Sequence, residues 1–168
     1  MIPDRVAAPG IDETPLRGEI PRHYAQRIAR AKAASVAQPG AFILAADTVV
    51  AVGRRILPKP DDPAGVRECL ALLSGRRHQV LTCLVLVGPD GSASERLSAT
   101  AVAFARLSPA QLDAYAASGE GVGKAGGYAI QGRAGAFVRL LLGSYSGVVG
   151  LPLFEAAQLL RGRSYPVP

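Results

Sequence analysis

The alternation of apolar and polar positions divides this chain into short, well-punctuated elements. Residues 1–20 carry Pro3, Pro9 and Pro15 without a sustained period and predict an extended, turn-rich lead-in. In residues 21–37, Tyr24, Ile28 and Ala31 share a helical face while Arg22, Arg27 and Arg30 face away, and Pro21 suits a first turn. Residues 41–52 are apolar except near the middle and end at Gly53, the mark of a buried strand and a turn. Asp61-Asp62-Pro63 predicts a helix start; Val66, Leu70 and Leu73 form its inner face, and Ser74-Gly75 stops it. His78–Val87 and Ala93–Leu107 read as two long strands joined by the turn Gly88-Pro-Asp-Gly91. Ser108-Pro-Ala-Gln111 has capping-box spacing and opens a helix that ends at Ser118-Gly119. Phe137–Leu142 predicts a further strand and Leu151–Leu160 a closing amphipathic helix. Helices interleaved with strands, one pair of them a hairpin, predict an α/β fold with a mixed sheet flanked by helices. Neither a repeat nor a linker divides the 168 residues, so one domain spanning 1–168 is expected.

One position breaks the pattern. Asp47 lies between Ala41-Phe-Ile-Leu-Ala-Ala46 and Thr48-Val-Val-Ala-Val52. Burying an unpaired carboxylate costs several kcal/mol, so a metal, a lysine or both must meet it.

Composition and charge add to this in two ways. With 49% hydrophobic and 19% charged residues the chain is a folded globular protein. No apolar stretch reaches the roughly 18 residues of a membrane span. No leader segment is evident, and Cys69 and Cys83 form neither a metal spacing nor a disulfide framework, so a cytoplasmic location is expected. The net charge of +6 suits nucleotides or nucleic acid. Nucleic acid is the weaker reading, because aromatics make up only 5% and offer little stacking surface. Among 19 Lys and Arg residues, only Lys32, Lys59 and Lys124 are lysine. A lysine is a compact point charge suited to a phosphate oxygen or a carboxylate in a tight site, although a genome that favours arginine would leave the same trace.

Candidate chemistry gathers at a few places. Gly119–Gly132 is glycine-rich and holds Lys124, a natural phosphate contact, although it lacks the P-loop spacing and reads equally as a flexible loop. Gln131 carries a donor and an acceptor and could read the edge of a base, or simply satisfy a strand end. In Leu57-Pro-Lys-Pro60 two prolines stiffen the backbone around Lys59, which could return toward Asp47 or stay solvated. Asp12 and Glu13 offer hard oxygens that could join Asp47 around a divalent cation. His23 and His78 lack ligand spacing and read as structural.

These pieces stand in a telling order: Ala45-Ala-Asp-Thr48, Lys59-Pro60, Leu72-Leu-Ser-Gly75 with His78 and Thr82, Gly119-Glu120, Lys124-Ala-Gly-Gly-Tyr-Ala-Ile-Gln-Gly132, Gly143-Ser144 and Val149-Gly-Leu-Pro-Leu153. The set, with Asp12-Glu13, Pro21, Tyr24, Ala29 and Lys32-Ala33 before it, closely resembles the Maf family, also called septum formation inhibitor proteins. The resemblance covers nearly all of residues 10–155. It implies an ITPase-like α/β fold and hydrolysis of a nucleoside triphosphate to the monophosphate and pyrophosphate, assisted by Mg²⁺ or Mn²⁺. It makes Asp47 the catalytic carboxylate, as general base or metal ligand, with Glu13 also on the metal and Lys32, Lys59 and Lys124 on the phosphates. Thr48 and Gln131 look like the branch that acts on dTTP and UTP, and so stand as base-specificity residues; modified pyrimidine nucleotides of similar edge pattern would also fit. A homodimer is expected on resemblance alone.

The chain departs from the family pattern in three places. Gly123 stands where many members have an acid, and Pro58 where many have glycine. No segment matches the family's opening strand and helix with Leu-Ala-Ser-x-Ser-Pro-Arg-Arg, so the expectation is an N-terminally short chain from an internal start or a truncated gene. The same departure makes a catalytically impaired nucleotide-binding or division-regulating protein the alternative.

Overall fold

A computed structural model of the chain describes residues 3–167. Residues 3–20 form no helix or strand, as their prolines suggest. Helix α1 spans Pro21–Ser35 and strand β1 Ile43–Val52. A turn at Gly53 leads into the two-residue strand β2, Arg55–Ile56. Helix α2, Pro63–Leu73, precedes β3, Arg77–Val87, and β4, Ala93–Phe104. Then come α3 (Pro109–Ala117), 3-10 turns at Ala125–Gly127 and Arg133–Phe137, β5 (Val138–Leu142), α4 (Tyr145–Val149) and α5 (Leu153–Arg161).

The sheet runs β2-β1-β3-β4-β5, and every pairing among the described residues is antiparallel. The α/β class therefore holds, but the mixed sheet expected from the alternation of strands and helices does not. The register gives the reason. Ala51 pairs with Gln79 and Ile43 with Val87, so β3 starts at the end of the sheet where β1 finishes. The connection through α2 returns to that same end, whereas a parallel pair needs a crossover to the opposite one.

Side-chain alternation along β1 and β3 feeds two layers. Val49, Leu81, Cys83 and Val85 pack against α1. Ala25, Ala29 and Ala33 lie almost fully buried along one side of that helix, and their small size lets it sit close to the sheet. On the opposite face Val50, Val80, Val102 and Phe104 pack with α2 and α3, while Leu84 and Leu86 receive α5. The predicted caps form: Asp62 accepts from the Gly65 N–H, and Ser108 and Gln111 make a reciprocal capping box.

Two elements are absent from the sequence pattern, β2 and α4. Helix α4 contains Gly147 and two valines, all poor helix formers. Tertiary contacts hold it instead. Thr100 Oγ1 accepts the Ser144 N–H at 2.9 Å and donates to the Ser144 carbonyl at 3.2 Å, and Thr82 Oγ1 donates to the Gly147 carbonyl at 2.7 Å. The glycine-rich segment is likewise anchored, since Tyr128 and Ile130 belong to the central apolar cluster.

Candidate active site

Strand β1 carries Asp47 toward α1 at 2% exposure. Lys32, in the last turn of α1, donates to Asp47 Oδ1 at 2.8 Å and also pairs with Glu13 Oε1 at 2.8 Å. Lys59 bonds Glu13 Oε2 and lies 3.8 Å from Asp47 Oδ1. Tyr24 donates to the Glu13 backbone carbonyl at 2.9 Å and so ties the irregular lead-in to α1. Asp47 Oδ2 is buried and has no hydrogen-bond partner.

The electrostatics of this group follow from depth. Burial pushes the Asp47 carboxyl above its ordinary pKa, by more than its bond to Lys32 lowers it. For Glu13 burial also acts upward, but two lysine hydrogen bonds prevail and hold it below its usual value. Burial acts downward on the Lys32 ammonium, yet its bonds to Asp47 and Glu13 leave its pKa raised, so it remains charged. The result is two carboxylates of unequal basicity around shared cations.

Thr48, the next residue, points to the other face of the sheet. Its hydroxyl lies 2.9 Å from that of Thr82, its partner in register on β3. On that side a cleft of about 270 Å³ is lined by Thr48, Val50, Lys124, Tyr128, Gln131 and Gly150, and it reaches around β1 to Lys32, Asp47 and Lys59. A second cleft of about 540 Å³ on the α1 side is lined by Glu13, Tyr24, Lys59 and Asp61; the two share Thr48, Lys59 and Ala125. They can meet because β1 has a strand partner on its outer side only at Ala51 and Val52 among the described residues. A single strand thus separates the Glu13, Lys32, Asp47 and Lys59 cluster from a side that holds Thr48, Gln131 and Lys124.

Lys59 and Lys124 are brought near one another by backbone. The Gly126 N–H donates to the Pro58 carbonyl at 3.0 Å and the Gly123 N–H to the Pro60 carbonyl at 2.8 Å. Gly126 has φ +67°, and a Cβ there would lie 2.8 Å from Val50 Cβ, so this close approach requires glycine. Lys124 has no carboxylate partner among the described residues and faces the cleft as an uncommitted charge.

The structure therefore gathers Glu13, Lys32, Asp47 and Lys59 in direct contact and places Thr48, Lys124 and Gln131 along the same cleft. Asp12 turns away to accept from the Thr14 N–H and is no part of it. Among the described residues no three His, Cys, Asp or Glu side chains cluster as a metal cage. Sequence reasoning missed the support behind Thr48, namely Thr82 and the Gly147 carbonyl. It also missed the site-facing role of Tyr128, which lines the cleft and contacts buried His78, Nε2 to Oη 2.9 Å.

Comparison with known proteins shows which family the chain resembles. The family described as Maf-like protein matches residues 1–163. The chain belongs to the Maf family. A dTTP/UTP pyrophosphatase of Sphingopyxis alaskensis is 60% identical to this Maf chain over 168 residues, covering 99% of the chain and 88% of that protein. One from Paramagnetospirillum magneticum is 59% identical over 164 residues, covering 96% of the chain and 86% of that protein. A third, from Caulobacter vibrioides, is 59% identical over 167 residues, with 98% and 86% covered. No helix among the described residues of this Maf protein is long and apolar enough to cross a membrane.

Proposed function

We propose that this chain is a nucleoside triphosphate pyrophosphatase that hydrolyses dTTP and UTP to the monophosphate and pyrophosphate. The observation that carries this reading is the buried Asp47, its Oδ1 held by Lys32 and its Oδ2 left without a partner, at a cleft that Lys59 and Lys124 also line. Close relatives that carry the same activity support it.

In the reaction, a water oxygen forms a bond to the α-phosphorus. The bond from that phosphorus to the bridging oxygen breaks, and pyrophosphate leaves with the electron pair. The water proton goes to Asp47, whose raised pKa makes it a better base than an exposed carboxylate. Lys32, Lys59 and Lys124 offset the charge on the phosphates, and the scaffold's contribution is mainly positioning and electrostatics. Thr48 and Gln131 face the base.

Glu13 and Asp47 fit a divalent cation, Mg²⁺ or Mn²⁺, of the kind that takes one or two carboxylates and completes its shell with water and phosphate oxygens. Acting as a metal ligand instead of the base, Asp47 would offer its unpartnered Oδ2, and the cation would neutralise charge on the phosphates.

Pyrophosphate release from dTTP and UTP with Mg²⁺, in the wild type and in Asp47→Asn, tests the reading. The expected outcome is turnover by the wild type and a drop of about 100-fold or more in the variant. Equal rates would remove Asp47 from the chemistry, and absence of release from either nucleotide by the wild type would overturn the function.

A further inference from the structure

We propose that Thr82 is a specificity-determining residue, because it fixes the Thr48 hydroxyl as a hydrogen-bond acceptor toward the cleft and so selects a base that presents a ring N–H. This rests on the pyrophosphatase reading above and adds how the base is chosen.

A hydroxyl has one proton to give. Thr82 is 1% exposed, and its Oγ1 lies 2.7 Å from the Gly147 carbonyl oxygen, which can only accept. That contact uses the Thr82 proton. The 2.9 Å contact between Thr82 and Thr48 then has to use the proton of Thr48. Thr48 is left with lone pairs alone for whatever occupies the cleft it lines. The chain of bonds is held at its far end: Ser144 Oγ accepts the Gly147 N–H at 2.9 Å, and Thr100 clamps the Ser144 backbone. The carbonyl that orders the whole relay therefore has a fixed place.

Polarity matters here because Gln131 does not supply it. A carboxamide can turn over and present either its amine or its carbonyl, so it suits two opposite edges. Uracil and thymine carry an N–H between two carbonyls, whereas cytosine has a lone pair at that ring nitrogen with an amine beside it. A group that is only an acceptor welcomes the first and meets the second with facing lone pairs. An unmatched buried polar group is a strong basis for rejection. Thr48 is the contact and Thr82 the positioning residue that sets its sense.

The test is binding with Mg²⁺ of the α,β-methylene analogues of UTP, CTP and N3-methyl-UTP, measured by calorimetry so that the result does not depend on turnover. The wild type is expected to bind the UTP analogue about tenfold or more tightly than the other two. In Thr82→Val the Thr48 hydroxyl is free to rotate and donate, and the UTP-to-CTP ratio should fall about tenfold, while Thr82→Ser keeps the ratio. Thr82→Ala serves in the same role if the valine variant does not fold. An unchanged ratio in Thr82→Val or Thr82→Ala, equal binding of the N3-methyl analogue by the wild type, or binding of none of the three would overturn the proposal. Pyrophosphate release by the wild type is measured in parallel. Release from dTTP and UTP with an unchanged ratio sinks only the Thr82 relay, and no release sinks the functional reading itself.

Discussion

At the scale of single residues, Asp47 and Lys32 are an unequal pair. Asp47 is almost fully enclosed, whereas Lys32 retains some exposure and has Glu13 as a second partner. Removing Lys32 leaves a buried carboxylate with only Lys59, 3.8 Å away. Removing the charge of Asp47 leaves a lysine that still has an ion pair. Lys32→Ala should therefore destabilise by about 3 kcal/mol. Asp47→Asn should cost nothing at pH 7: burial raises the folded pKa of Asp47, so its stability contribution is present at acid pH and is lost as pH rises through that value. The double variant should recover at least half of the loss. Urea unfolding of the three variants at pH 7 checks this, and a double variant as unstable as Lys32→Ala would show that the loss arises elsewhere. Asp47 was legible in the sequence because a charge inside an apolar run demands compensation. The role of Thr82 was not, although the residue belongs to the family's ordered set, because a threonine in a strand is ordinary until its hydroxyl is seen to face both another hydroxyl and a carbonyl.

At the scale of elements, the long periodic segments declared themselves, and α2 and α3 also announced their caps. Helix α4 did not, because its residues disfavour helix and its order comes from Thr82 and Thr100 across the sheet. Nor did the direction of β3, since local pattern does not tell at which end of the sheet a connection returns. The glycine-rich segment read as loose, yet it is fastened to Pro58 and Pro60 and pressed on Val50. Two glycines separate strain from contact there. Gly119 and Gly126 both have positive φ, but a Cβ at Gly119 meets nothing within 4 Å while one at Gly126 meets Val50. Gly119→Ala should cost about 1 kcal/mol from backbone strain alone. Gly126→Ala should cost about 2 kcal/mol or more, and should also raise KM for UTP several-fold by displacing Lys124. Thermal unfolding and steady-state kinetics on both variants check the contrast; equal effects would mean that the approach to Val50 does not hold the loop.

At the scale of the whole molecule, the site depends on how β3, β4 and the glycine-rich segment meet, and that junction contains a titratable group. His78 on β3 is 2% exposed and packs edge-on against Phe104 of β4 and Tyr128, with ring centroids 5.1 Å and 5.6 Å away. Its Nδ1 is buried without a well-formed hydrogen bond. Burial pushes the imidazole from its ordinary 6.5 down to about 4, by more than the Arg76 backbone lifts it. The unfolded chain therefore binds a proton that the fold refuses. The stability this residue contributes is present above pH 6.5 and is lost as pH falls from 6.5 toward 4, a loss of about 3 kcal/mol. Carboxylates such as Glu13 titrate in the same acid range, but they do so equally with or without His78. The informative quantity is thus the difference between pH 7 and pH 4.5 in unfolding free energy, compared between the wild type and His78→Gln. It should be smaller in the variant by about 2 kcal/mol. An identical difference in the two proteins would show that the acid sensitivity of the fold lies outside this junction.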